Sequence, residues 1–202
     1  MDIIVLAGMP ASGKSTVAAK LSAAFSLPVL AKDELKESLF DTVGFRCYAE
    51  KRVLDHAANA VLLRTARALL AAGRSVILDN NFDEISARAL DALTEEFGAR
   101  CITVFLGGDT EAFYRRYVER DRAHLRHPGH VVQEHYPLLP GETADHDMTR
   151  EEFREKFEKR GMAAVRLHGE RIDIDATDPA AIDVDALIEQ LRVYLMSGGN
   201  ET

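Results

Sequence analysis

One run of residues in this chain specifies chemistry by its order alone: Gly8-Met9-Pro10-Ala11-Ser12-Gly13-Lys14-Ser15. It matches the pattern GxxxxGK[ST] and stands between a short apolar run, 3–7, and a segment of helical composition, 15–25. Gly8 and Gly13 permit backbone angles closed to other residues, so the loop carrying Pro10, Ala11 and Ser12 can turn its N–H groups inward onto phosphate oxygens. The helix that follows adds about half a unit of positive charge at its N-terminus. Lys14 brings a point charge to the β- and γ-phosphates, and Ser15 offers a hydroxyl to Mg²⁺. Thr16 is a second hydroxyl beside them, counted among the nucleotide contacts without a distinct role. The run is a P-loop in its required context, and it predicts binding of a nucleoside triphosphate with Mg²⁺.

Two carboxylates fit chemistry at that loop. Asp33 follows the apolar run 28–31, where a carboxylate could orient an acceptor hydroxyl and take its proton. The alternative is that it caps the next helix, and both can hold for different atoms. Asp79 follows Val76-Ile77-Leu78, the pattern in which a carboxylate holds Mg²⁺ directly or through water. Asn80 and Asn81 fit two readings, substrate hydroxyl binding or a turn. Arg115, Arg116, Arg120, Arg122 and Arg126 crowd one helix and its exit. Arg116 and Arg120 are four apart and share a face, which suits an anion between them. The alternative is a solvated face salted by Glu119 and Asp121. His127, His130 and His135 lie in an irregular stretch without zinc-site spacing, so substrate contact or plain structure is expected of them.

The elements needed to position these residues are legible from periodicity. Apolar runs at 3–7, 28–31, 75–78 and 101–106 read as buried strands, with 164–167 and 171–175 as candidates for the last. Helical patterns fall at 15–25, 33–39, 47–72, 85–97, 110–125, 149–159 and 179–195. Gly73 stops the longest of them. Strand and helix alternate, which predicts an α/β protein: a P-loop NTPase fold with a five-stranded parallel sheet, helices on both faces and a lid. Ligands in such sheets bind beyond the carboxyl ends of the strands. The loop 8–15, Lys32-Asp33 and Asp79-Asn80-Asn81 are therefore expected to converge. Residues 1–202 read as one domain, with a lid and loop-rich insertion at about 115–160, where Pro128, Gly129, Pro137, Pro140 and Gly141 interrupt the pattern.

Composition narrows the partners. The net charge of −8 argues against a protein that grips long nucleic acid by its phosphates. The apolar run at the start is too short for a signal peptide, and no run reaches the roughly 20 apolar residues that span a bilayer. Two cysteines, Cys47 and Cys101, form no framework, and a cytoplasmic protein with reduced thiols is expected.

Together, the run 8–16, Asp33, Leu78-Asp79-Asn80-Asn81-Phe82 and the Arg116/Arg120 pair followed by Arg126-His127-Pro128-Gly129-His130 resemble a group of small P-loop kinases. The group is the one related to zeta toxin, the kinase domain of polynucleotide kinase and chloramphenicol phosphotransferase. The resemblance covers residues 1–178 or so. It implies that Asp33 is the base, that Arg116 and Arg120 are lid arginines on the transferring phosphate, and that the loop Asp175-Ala176-Thr177-Asp178 packs on adenine, with Thr177 among the contacts. It implies that the acceptor pocket is built from 35–72 and 131–159, where His135, Tyr136, Arg46 and Tyr48 are candidates. No NKxD-type base-reading motif is present, so ATP is the expected donor. A small-molecule kinase acting on a hydroxyl is the leading expectation. A 5′-hydroxyl polynucleotide kinase, a toxin-like nucleotide-sugar kinase and a nucleotide-dependent switch are the alternatives.

Overall fold

The apolar runs become the strands of one sheet: β1 (Asp2–Gly8), β2 (Val29–Ala31), β3 (Val76–Asp79), β4 (Arg100–Gly107) and β5 (Glu170–Asp175). The computed structural model describes residues 1–82, 84–145, 148–158 and 166–197. All pairings are parallel and the order is β2-β3-β1-β4-β5. A parallel sheet must be covered on both faces. Ile4, Leu6, Ile77, Ile102 and Val104 pack with α1 (Lys14–Phe25), α5 (Thr110–Arg122), α7 (Arg150–Glu158) and α8 (Val184–Ser197). Ile3, Val5, Val76 and Leu78 pack with α3 (Tyr48–Ala71) and α4 (Glu84–Phe97). The predicted five-stranded parallel sheet with helices on both faces is the observed architecture.

Two of the boundaries that differ from the sequence reading have a local reason. Helix α2 (Lys32–Val43) begins directly after β2, because Ala31, extended at φ −99°, serves as its N-cap. Asp33 thus lies in the first turn of α2 and not at a strand end. The closing helix expected over 179–195 divides into a 3₁₀ turn, Pro179–Ala181, capped by the Asp178 carboxylate on Ala180 N–H, and then α8. Of the candidate strand 164–167, residues 164 and 165 lie outside the described residues, and 166–167 are not in a strand; Lys159, the predicted end of α7, also lies outside them.

The stretch expected to form a lid is packed over residues 126–136. It contains the short helix α6 (Pro128–Val131) and docks on α2 and on the start of α3. Phe40, fully buried, is the centre of this contact, with Phe45 at 5.4 Å, His130 at 5.4 Å and His127 at 5.9 Å between ring centroids. Gly129 is required here, since a Cβ would lie 2.5 Å from the Phe40 ring. Phe45 and Tyr136 exchange two backbone hydrogen bonds of 2.8 Å, and Lys51 Nζ donates to the carbonyls of His130 and Val132. No helix among the described residues is long and apolar enough to cross a membrane. Phe40→Ala is expected to cost about 3–5 kcal/mol in chemical denaturation. Hydrogen exchange should speed up in 126–136 before it does in the sheet, and equal protection of both would contradict this packing.

Candidate active site

Register brings the polar strand ends together. Leu6 of β1 lies beside Asp79 of β3, and Asp79 lies beside Ala31 of β2. The P-loop, Asp79 and the first turn of α2 therefore leave the sheet at one level, as predicted.

The loop is held open by backbone constraints. Gly8 has φ +143°, and a Cβ there would stand 2.2 Å from the Leu106 carbonyl oxygen. Gly8 N–H donates to Asn81 Oδ1 at 3.0 Å, and Met9 N–H to Leu106 O at 3.3 Å. Ala11 (φ 59°) and Gly13 (φ +92°) turn the chain into α1. No side chain caps α1 and its first turn holds no acid, so its N–H groups and its positive end are left for an anion. Lys14 Nζ folds back over the loop, donating to Gly8 O (3.1 Å) and Met9 O (2.9 Å). Ser12 is fully buried, and its Oγ has no hydrogen-bond partner among the described residues. Thr16 is exposed, as is Ser15, whose Oγ donates to Asp79 Oδ2 at 2.8 Å.

Charges at this junction are out of balance in a telling way. Burial pushes the Lys14 pKa down, against the pull of Asp79 and Asp33, and Arg120 adds to the depression. Burial pushes the Asp79 pKa up, against Lys14 and the Ser15 hydroxyl, with Asp33 and Glu34 adding to the rise. The lysine is short of anions and the carboxylate short of cations. A polyphosphate carrying Mg²⁺ answers both needs, and the adjacent Ser15 and Asp79 oxygens are hard ligands of the kind that ion takes.

Asp33 opens to solvent from the first turn of α2. Its carboxylate makes no hydrogen bond among the described residues and does not cap the helix. Burial raises its pKa, but His130, Lys36, Arg126 and Lys14 together outweigh that and hold it below the ordinary carboxylate range. Arg120 approaches from α5. Its guanidinium stands 5.7 Å from the Tyr117 ring centroid, its Nε is buried without an acceptor among the described residues, and burial with Arg126 lowers its pKa. Arg126 lies 4.9 Å from the same ring and donates to the Tyr117 hydroxyl at 2.7 Å.

Arg116 does not join this cluster. Its Nε donates to Ala11 O (3.0 Å), Nη1 to Thr177 O (2.7 Å) and Nη2 to Ala176 O (2.9 Å). All three guanidinium nitrogens tie the P-loop to the turn after β5. The pair expected to flank one anion thus separates, with Arg116 on the β5 side and Arg120 toward Asp33. Thr177 is likewise engaged, its Oγ1 accepting from Asp109 N–H at 2.9 Å. Arg122 is exposed. Asn81 braces Gly8, and buried Asn80 pairs with Asn59 of α3 at 3.1 Å, which explains both without substrate. Tyr136 OH donates to Asp41 at 2.9 Å, His135 pairs with Glu142 at 2.7 Å, Arg46 pairs with Glu50 at 2.7 Å, and Tyr48 is half exposed.

The sequence reading missed the wall that α3 contributes. Lys51, Asp55 and Asn59 recur every four residues and share one face. Asp55 bridges Lys32 (3.1 Å) and Lys36 (2.9 Å) of α2. Three polar residues in phase beside the apolar stripe of Leu54, Ala58 and Leu62 were the available signal. Glu37, four residues after Asp33 and bonded to His130 at 3.0 Å, was missed as well.

With this geometry in place, comparisons identify the kinship. The family model described as AAA domain matches residues 3–136. The chain belongs to the AAA domain family. Within this AAA domain the matched region takes in the P-loop, Asp33, Asp79 and the docked segment through Tyr136. No curated protein matches the sequence. Among solved structures, a provisionally assigned kinase from Chloroflexus aurantiacus is 24% identical, with a TM-score of 0.77 over 95% of this chain and 96% of that one. A gluconokinase from Sinorhizobium meliloti is 18% identical, with a TM-score of 0.57 over 98% of each chain. Shikimate kinase from Acinetobacter baumannii is 17% identical, with a TM-score of 0.56 over 100% of this chain and 96% of that one. The AAA domain therefore has a kinase-like P-loop fold.

Two predictions follow from the geometry. Arg116→Ala should weaken ATP and ADP binding by similar factors, because a strut between loops serves both nucleotides; Arg120→Ala should weaken ATP more than ADP. Isothermal titration decides, and loss of ATP-over-ADP preference in Arg116→Ala would place its guanidinium on the γ-phosphate instead. The second concerns Asp55: burial raises its pKa, but Lys36 and Lys32 outweigh burial and bring it from 3.8 to about 2. A carboxyl depressed by folding stabilises above its unfolded pKa and ceases to as pH falls through the folded one. In urea unfolding, the stability gap between wild type and Asp55→Asn should be full near pH 6 and close between about pH 4 and pH 2.

Proposed function

We propose that the protein is an ATP-dependent phosphotransferase that moves the γ-phosphoryl group to a hydroxyl of a small molecule: a sugar, nucleoside, antibiotic or similar metabolite. The observation that carries this reading is the position of Asp33, unengaged by any hydrogen bond among the described residues, beside Lys14 and the Ser15–Asp79 pair. The loop N–H groups from Ala11 to Thr16 bind the phosphates, and Lys14 exchanges its two carbonyl acceptors for phosphate oxygens. Ser15 and Asp79 would hold Mg²⁺, which would supply neutralising charge to the phosphates. Arg120, whose Nε lacks an acceptor among the described residues, meets the charge spread over the moving group. Asp33 orients the acceptor hydroxyl and takes its proton as the new O–P bond forms and the bond to the β-phosphate oxygen breaks, leaving ADP.

The motif resemblance to the zeta-toxin and chloramphenicol-phosphotransferase group supports the same reading, as does the naming of two fold neighbours as gluconokinase and shikimate kinase. Net charge of −8 weighs against a polynucleotide acceptor. The absence of an NKxD motif in the sequence favours ATP. A cytoplasmic setting fits two free thiols, of which Cys101 is buried with its pKa pushed up to about 12.

The test is transfer from Mg·ATP to a panel of sugars, sugar acids, nucleosides, aminoglycosides, chloramphenicol and 5′-hydroxyl oligonucleotides, followed by mass spectrometry. Wild type should add one phosphate to a small-molecule acceptor, and Asp33→Asn should be slower by at least about 10²-fold. No product from any hydroxyl, with ATP hydrolysis unaltered in Asp33→Asn, would leave a nucleotide-dependent switch as the better reading.

A further inference from the structure

Helix α2 presents three carboxylates in a column, Asp33, Glu37 and Asp41, each four residues from the last and so on one face. The docked segment sets basic groups against them. His127 Nε2 is 3.1 Å from Asp41 Oδ1, and His130 Nε2 is 3.0 Å from Glu37 Oε1. The first acid of the column, Asp33, has no such direct partner among the described residues. We propose that Glu37 and His130 form a positioning pair for Asp33, setting the pH range over which its carboxylate can take the acceptor's proton. The proposal rests on the phosphotransferase reading above.

His130 is built to stay where it is. It is buried, its ring meets Phe40 edge-on at 5.4 Å, and its carbonyl is held by Lys51 Nζ. Its neighbour Gly129 lies so close to Phe40 that no side chain fits. With the Glu37 carboxylate accepting from Nε2–H, the other ring nitrogen is the one that gains a proton. Glu37 stands one helical turn, about 6 Å, from Asp33 along α2.

The charged groups around the pair can be named. His130 faces Glu37, Asp33 and Lys36 from α2, Arg126 from its own segment, the Lys51 ammonium on its carbonyl from α3, and the His127 ring at 6.2 Å. Burial lowers its pKa, with Glu37 and Asp33 pulling the other way and Arg126 and Lys36 adding to the fall. Asp33 faces His130, Lys36, Arg126 and Lys14, with Arg120 of α5 as a further cation and Asp79 of β3 as a carboxylate coupled to it across the site. Lys36 is committed to Asp55, Arg126 to the Tyr117 hydroxyl and Lys14 to the P-loop carbonyls. Lys36 and Arg126 keep their charge across the working range, so of the groups on the acceptor side of Asp33 it is His130 that changes charge there. As pH falls, His130 takes up a proton and the new cation keeps Asp33 ionised. Without His130, Asp33 would protonate at a higher pH.

The test has an arm that needs no acceptor. Imidazole resonances of labelled protein are followed against pH in wild type, Asp33→Asn and Glu37→Gln. The midpoint of His130 should fall in both variants, since each loses an anion that favours the imidazolium. An unchanged midpoint in Asp33→Asn overturns the proposal whether or not the protein is a kinase. In the second arm, kcat/KM is measured against pH for transfer, or for ATP hydrolysis with water as acceptor. His130→Gln should move the acid limb to higher pH, leave KM for ATP unchanged and keep kcat near neutrality within about tenfold of wild type. An unmoved acid limb also overturns it. Should His130→Gln fail to fold, His130→Asn carries the same measurement. Failure of the phosphotransferase reading has a different mark: no product from any hydroxyl, with hydrolysis indifferent to Asp33→Asn.

Discussion

A strand buried on both faces carries no alternation to fix its register. Val76, Ile77 and Leu78 are all fully buried, as are Ile3 to Leu6 beside them, so sliding one strand by a residue would exchange one apolar contact for another. What pins β3 against β1 is polar. Asn80 N–H donates to Leu6 O at 3.2 Å, Gly8 N–H to Asn81 Oδ1, and Ser15 Oγ to Asp79 Oδ2. A slip of one residue would break all three and push the Asp79 carboxylate into the core unpaired, a cost of several kcal/mol. The same bonds that hold the register assemble the site. Folding and the placement of Asp79 under the P-loop are thus one event.

The site itself is not arranged for stability. A lysine with a depressed pKa and a carboxylate with a raised one sit side by side, and each is held in its charged form mainly by the other. Ser12 Oγ and Arg120 Nε are buried without partners among the described residues. Elsewhere the chain satisfies such groups with care: Asp109 caps α5, Asp178 caps the 3₁₀ turn, and Asp55 takes two lysines. Unmet polar groups gathered at one end of the sheet are what a binding site for a charged ligand looks like before the ligand arrives.

The sequence made the centre of this site legible because the P-loop is read by local backbone rules: glycine angles, a helix N-terminus and a lysine at fixed spacing. Asp79 was legible because an apolar strand announces its own end. Asp33 was found, at the strand-to-helix junction; what stayed illegible was that the helix begins one residue earlier, at Lys32, since an alanine N-cap gives no local signal. Arg116 and Arg120 share a helix face, and spacing stops there. Which carbonyl or anion a long side chain reaches depends on the turn at 176–177, distant in sequence. The wall made by Lys51, Asp55 and Asn59 was hidden for a related reason: an amphipathic pattern shows which face is apolar, not that a polar stripe beside it lines a second surface.

Helix α5 joins the two halves of the site. At Arg116 it is bonded to the P-loop and to the turn after β5, on the side expected to receive the base. Four residues and about 6 Å further along the axis, Arg120 faces the cluster of Lys14 and Asp33. Tyr117, between them in sequence, packs against α7 with its ring tilted to Phe153 and edge-on to Phe157, and carries Arg126 on its hydroxyl. Arg126 in turn opens the segment that His127, His130 and Tyr136 fix to α2, the helix bearing Asp33. A displacement of α5 therefore cannot be confined to one ligand. Moving Arg116 strains the P-loop through Ala11, and moving Arg126 strains the acceptor side through α2. In the phosphotransferase proposed above, the nucleotide side and the α2 side are thus joined by packed contacts of α5.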